Sequence, residues 1–253
     1  MWTIISDPWF YATAVPAVLI AGISKGGFGG GMGSMAVPMM ALTISPVQAA
    51  AIMLPILCTI DIFTVWTWRR HWDMSNMRIL LPAAIIGLGL GWAGFRYMDD
   101  DAVRLLIGTI AVVFAADYFL PLRSKGGPSV PNRVLGSFWG MVAGFTSFVA
   151  HAGGPPIAVY LLPQRLDIRL YTGTAAVFFI AVNYLKLVPY GLLGQLDATN
   201  LGTAAVLMTL APVGVWIGVR LQRRVSNDLF YRLCYGFLAL AGVKLLADGL
   251  GFA

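Results

Sequence analysis

Two ionisable side chains stand inside glycine-rich interruptions of an otherwise apolar chain. Lys25 lies in the run Gly22-Ile23-Ser24-Lys25-Gly26-Gly27-Phe28-Gly29-Gly30-Gly31, and His151 in the stretch from Gly144 to Ala152-Gly153-Gly154-Pro155-Pro156. An ammonium in such a place can compensate the charge of a bound anion. An imidazole can do the same when protonated, and it can carry a proton near neutral pH. Asp61 lies within a third apolar segment, and Asn183 stands 122 positions later. Intramembrane carboxylates are costly and often belong to ion or proton pathways, so Asp61, Asn183 and His151 are candidates for coupling. For Asp61 the alternative is a helix-end carboxylate facing a basic loop. Lys186 either lines a cavity or snorkels outward past Pro189 and Tyr190.

Other chemistries find little support. Ser147 and His151 are spaced i, i+4, but no third group is evident to orient the imidazole, so an enzyme is not expected. The second histidine, His71, lies in a basic loop, and Cys58 and Cys234 both sit in apolar segments. Neither a metal site nor a disulfide is expected from that set. Gly29-Gly30-Gly31 lacks the strand and the Lys-Ser/Thr of a nucleotide fingerprint. No cofactor is implied.

The elements that must hold these residues are membrane spans. Of 253 residues 58% are hydrophobic and 11% are charged, against about 25% charged in soluble domains; mean hydropathy is +0.79. The apolar stretches are about 17–22 residues long, enough for a hydrocarbon core of roughly 30 Å. The expected fold is an all-α polytopic membrane protein. The first residues have no basic n-region or cleavage site, so no removable signal peptide is expected. The net charge of +6 is scattered through short loops, which argues for a topology signal rather than for nucleic acid.

Span-like segments fall at 9–24, 32–43, 46–66, 77–95, 103–121, 134–150, 153–163, 171–193, 200–218 and 229–250. The second and seventh are too short to cross a bilayer. Basic loops at 67–78, 122–133, 164–170 and 219–228 are expected on the cytoplasmic side, and 44–46, 96–102 and 194–199 outside. Both termini then fall on the outer side. Residues 1–122 and 134–253 read as two repeats of five segments with opposite orientation, joined by a cytoplasmic linker, 123–133. Matches support this: Gly22, Gly31, Ala36 and Val37 meet Gly144, Gly153, Ala158 and Val159 at a shift of 122. Trp92-x-Gly94-x-Arg96 meets Trp216-x-Gly218-x-Arg220, and Arg104-Leu105-x-x-Gly108 meets Arg232-Leu233-x-x-Gly236, at slightly larger shifts.

Six glycines within residues 26–33 argue against a continuous helix there, since each costs up to about 1 kcal/mol relative to Ala. Pro155-Pro156 suits the first turn of a new helix. The short segments after each break would aim free N–H groups at the protein centre, and helix N-termini favour anions. Broken helices at corresponding points of two repeats are how many secondary transporters form a solute site. Close helix packing is the competing explanation for these glycines.

The run from Gly22 through Gly31 to Pro38, the second break at His151-Ala-Gly-Gly-Pro-Pro and the two-repeat layout resemble the TauE/SafE sulfite exporter family, over roughly residues 9–250. The resemblance implies a bacterial inner-membrane transporter of sulfite, sulfoacetate or related sulfonates, so that both termini are expected in the periplasm. It also implies that Lys25, Gly26, Gly27, Gly29, Gly30 and Gly31, with His151, Gly153, Gly154, Pro155 and Pro156, line the anion path. The expected function is secondary transport of a small sulfur-containing anion by alternating access, with protons as the coupling ion. The expected partners are that anion and the lipid bilayer, and an oligomer is compatible with the sequence. A passive anion channel stays open as the alternative.

Overall fold

The computed structural model describes residues 4–30, 33–95, 97–120, 130–222 and 227–252; of 227–231, 233, 234 and 237 only the backbone is described. Gly31, most of the expected linker, Arg96 and the side chain of Cys234 therefore lie outside the described residues. The helices are α1 (Pro8–Gly27), α2 (Ala36–Met40), α3 (Pro46–Trp68), α4 (Met74–Phe95), α5 (Asp100–Phe119), α6 (Arg133–Ala150), α7 (Gly154–Leu161), α8 (Ile168–Leu192), α9 (Ala198–Met208), α10 (Ala211–Leu221) and α11 (Asn227–Gly249). Short 3-10 turns, Gly33–Met35 and Leu162–Gln164, precede α2 and follow α7. No strand occurs among the described residues.

Polar residues at the loop edges set where the helices begin. Asp7, Ser45, Asp99, Asn132, Asp167 and Asp197 each accept a backbone N–H of the first turn that follows, the usual way to satisfy a helix's free donors. Pro8 and Pro46 occupy the first helical position of α1 and α3. Five helices are long and apolar enough to cross a membrane, and α9 with α10 makes a sixth span if taken together. The chain is a membrane protein.

Helix packing is pairwise: α1 lies on α10, α4 on α6 and α5 on α11, with α3 and α8 in contact at the centre. Small residues make these approaches close. A Cβ on Gly22 would lie 2.9 Å from the Gly214 Cα, and one on Gly140 would lie 2.8 Å from the Leu80 carbonyl oxygen.

Three expectations change. The first break is narrower than the run 22–31, because α1 continues through Gly26 and Gly27. Those two glycines face the α10 backbone at Val215 and Gly218, so they serve packing and leave helix formation intact. The second break shrinks likewise, to the three residues between α6 and α7. The segment 200–218 is two helices bent by 43°. Pro212 lacks the N–H that would bond the Met208 carbonyl, and its ring crowds that carbonyl. Trp68 donates Nε1–H to the Gly26 carbonyl at 3.0 Å.

Candidate functional site

At the first break the last turn of α1 closes on one carbonyl. Ser24 O accepts Phe28 N–H at 2.8 Å and Gly30 N–H at 3.1 Å. The second bond requires a left-handed residue between, and Gly29 has φ +69°. A side chain at Gly29 would collide with the Tyr171 ring. This closure turns the chain away and leaves Lys25 on the inner face of α1. Its Nζ donates to Asp61 Oδ1 at 2.5 Å and lies 4.7 Å from the centroid of the Phe179 ring.

The second break closes with the same pattern. Ala152 N–H reaches Thr146 O at 3.1 Å, and the left-handed position is His151, at φ +51°. That backbone costs a non-glycine residue about 1–2 kcal/mol. Contacts of the ring offset the cost: Nε2 lies 2.9 Å from Ala50 O and Nδ1 lies 2.6 Å from Lys186 Nζ. Nε2 must carry hydrogen to bond a carbonyl. Lys186 Nζ also donates to Ser147 O at 2.9 Å and to Ser147 Oγ at 3.1 Å. Tyr190, one turn further along α8, donates to Phe148 O at 2.7 Å.

The two breaks meet through α3 and α8. Asn183 Nδ2 donates to Asp61 Oδ2 at 2.6 Å, so the carboxylate is held from both halves of the chain. Phe179 fills the space between the breaks: a Cβ on Gly30 would come within 3.2 Å of its ring, and one on Gly153 within 3.1 Å. Asp61 and Lys186 are completely buried, and Lys25 and His151 nearly so. Cys58, buried on α3, lies one turn before Asp61.

Of the residues expected at the site, the structure thus gathers Lys25, Gly30, Asp61, His151, Gly153 and Asn183. Gly29 shapes the turn beside them. Gly154 and Pro155 open α7 and are buried. Gly26 and Gly27 are not brought to the cluster. Lys186 does not snorkel: it points inward to His151. Phe179 and Ser147 were not singled out as site-lining. Phe179 carries no polar signal in the sequence, whereas Ser147 stands 122 residues after Lys25 and was legible by that spacing.

Chemically, this is a buried polar cluster with two lysines and one carboxylic acid among the described residues. Buried charge is tolerated only when paired and hydrogen-bonded. Lys25 has Asp61; Lys186 has only neutral acceptors. No grouping of three or more His, Cys, Asp or Glu able to hold a metal ion occurs among the described residues. The family described as Sulfite exporter TauE/SafE matches residues 14–245. The chain belongs to that family. As a member of the TauE/SafE family it is a transporter, and the matched range includes both breaks and every residue of the cluster. No curated protein and no solved structure matches the chain.

Proposed function

We propose that this protein is a secondary carrier that moves a small sulfur-containing anion, sulfite or an organosulfonate, across the bacterial inner membrane by alternating access coupled to protons. The observation that carries the reading is the buried cluster at the meeting of the two breaks, where basic side chains outnumber carboxylic acids. Lys25, Lys186 and the backbone at Gly153 would receive the anion. Asp61, Asn183 and His151 would link its occupancy to a proton. Burial of Asp61 and Lys186 favours a carrier over a continuous pore.

The two halves, 1–122 and 134–253, act as inverted repeats in this reading, with both termini periplasmic. Packing supports it. Exchange of the halves turns the α1–α10 contact into the α6–α4 contact and leaves α3–α8 and α5–α11 as they are. Residues related by a two-fold axis touch each other only near that axis. Asp61 and Asn183 are 122 apart and hydrogen-bonded.

Uptake into proteoliposomes tests the function. Sulfite, sulfoacetate, methanesulfonate and chloride are offered with and without an imposed pH gradient. The expected result is saturable uptake of one or more sulfur anions that responds to the gradient. Chloride flux as large as sulfite flux, rising without saturation, would overturn the carrier reading.

A further inference from the structure

We infer that Lys186 and His151 form one proton-holding unit that sets the proton count of transport by the charge of the anion, an inference that rests on the carrier reading above. Lys186 Nζ has three acceptors, the Ser147 carbonyl, the Ser147 hydroxyl and His151 Nδ1. Three acceptors match the three N–H donors of an ammonium. With Nε2–H spent on Ala50 O, the lone pair of Nδ1 faces that ammonium. The proton on the 2.6 Å line between Nζ and Nδ1 can reside on either nitrogen without moving a heavy atom. In both cases the unit carries a single positive charge.

The charge count then fixes the proton count. Lys25 and Asp61 cancel within their own ion pair, so with the shared proton on the Lys186–His151 unit the cluster carries net charge +1 among the described residues. A monoanion neutralises it. A dianion would leave −1 in a dry interior, which is unfavourable, unless a proton comes too. That proton enters from whichever aqueous side the site faces and binds His151 Nδ1. Lys186 Nζ then turns one N–H from Nδ1 to an anion oxygen, and Nδ1–H donates to another. On the far side the anion leaves and the proton leaves Nδ1, restoring the Nζ–Nδ1 contact. The titratable groups around His151 are Lys186 and Tyr190 of α8, Asp61 and Cys58 of α3, and Lys25 of α1. The charge on α4, Arg78, sits in its first turns and is exposed.

The test is proton flux measured with anion flux, in proteoliposomes holding a trapped pH dye. Above neutral pH, where sulfite is mostly the dianion, wild type should move about one proton per sulfite and none with methanesulfonate, as the charge balance of a dry site requires. His151→Gln should slow sulfite about tenfold, the loss of a hydrogen bond to a charged group, and lower the proton-to-sulfite ratio below that of wild type. Lys186→Gln should slow both anions. A sulfite flux in wild type without a proton, or an unchanged proton ratio in His151→Gln, overturns the inference while leaving the carrier reading in place. The wild-type ratio needs no variant to fold. Wild type that moves no sulfur anion overturns the carrier reading itself.

Discussion

The first and second breaks share a backbone and differ in charge. In each, a bond across six positions closes the helix end, Gly30 to Ser24 O and Ala152 to Thr146 O, both at 3.1 Å. In each, an aromatic side chain of the following long helix caps a carbonyl in the final turns: Trp68 to Gly26 O and Tyr190 to Phe148 O. Every one of these partners is displaced by 122 positions. The side chains part company at the same spacing. Lys25 corresponds to Ser147, Asp61 to Asn183, Gly29 to His151 and Thr64 to Lys186. The first half therefore places its cation on the broken helix and neutralises it from α3. The second places its cation on α8 and leaves it among neutral acceptors. The lesson is that scaffold and charge are separable: the turn geometry recurs, while one half holds a closed ion pair and the other a lysine among neutral acceptors.

The comparison breaks first at the ion pair. Asp61→Leu strands Lys25 in the interior and should cost about 3–5 kcal/mol, as removal of one partner of a buried pair does. Adding Lys25→Met should recover at least half of that, measured as thermal unfolding in detergent. Simple addition of two losses would show that the pair is not a coupled unit.

Next in size is the left-handed position. Gly29→Ala should destabilise by at least about 1–2 kcal/mol from its backbone alone, with the Tyr171 ring displaced as well. An alanine protein of wild-type stability would mean that the first break does not need the closure that the second achieves with histidine.

The smallest effects sharpen the likeness. Trp68→Phe and Tyr190→Phe each delete one hydrogen bond to a helix-end carbonyl, and each should cost about 0.5–1.5 kcal/mol. Near-equal values from the same unfolding assay would support equivalence of the two bonds. A large cost for one and none for the other would confine the likeness to geometry.

Much of this was legible before any coordinates. Composition and segment length led to a helical membrane protein, the cost of a carboxylate inside a span led to Asp61, and the spacing of 122 led from it to Asn183. The extent of the breaks was not legible, because glycine does two jobs here. Gly26 and Gly27 read as helix breakers, yet they allow α10 to lie against α1. Proline was ambiguous in the same way. Pro16, Pro55, Pro82 and Pro189 lie inside unbroken helices, whereas Pro212 accompanies a bend. The partner of Lys25 was hidden by distance along the chain: Asp61 is 36 residues away, on a helix whose facing side an all-apolar sequence does not reveal.

The seams between α1 and α10 and between α4 and α6 have a consequence for how this sequence can vary. There the backbones touch: Gly27 against the Gly218 carbonyl, Gly218 against the Ile23 carbonyl, Gly144 against the Ala84 carbonyl and Gly87 against the Met141 carbonyl. Between helices in lipid there is little hydrophobic gain, so such proximity is itself the adhesive. One added methyl at a seam wedges two helices apart along their length, and each seam has a break-bearing helix on one side. Outward positions such as Trp66, Ile86 and Leu240 are exposed and can exchange one apolar side chain for another. Mutational tolerance across this protein should therefore run in stripes, permissive where helices face lipid and nearly closed along narrow lines of glycine where helix backbones touch.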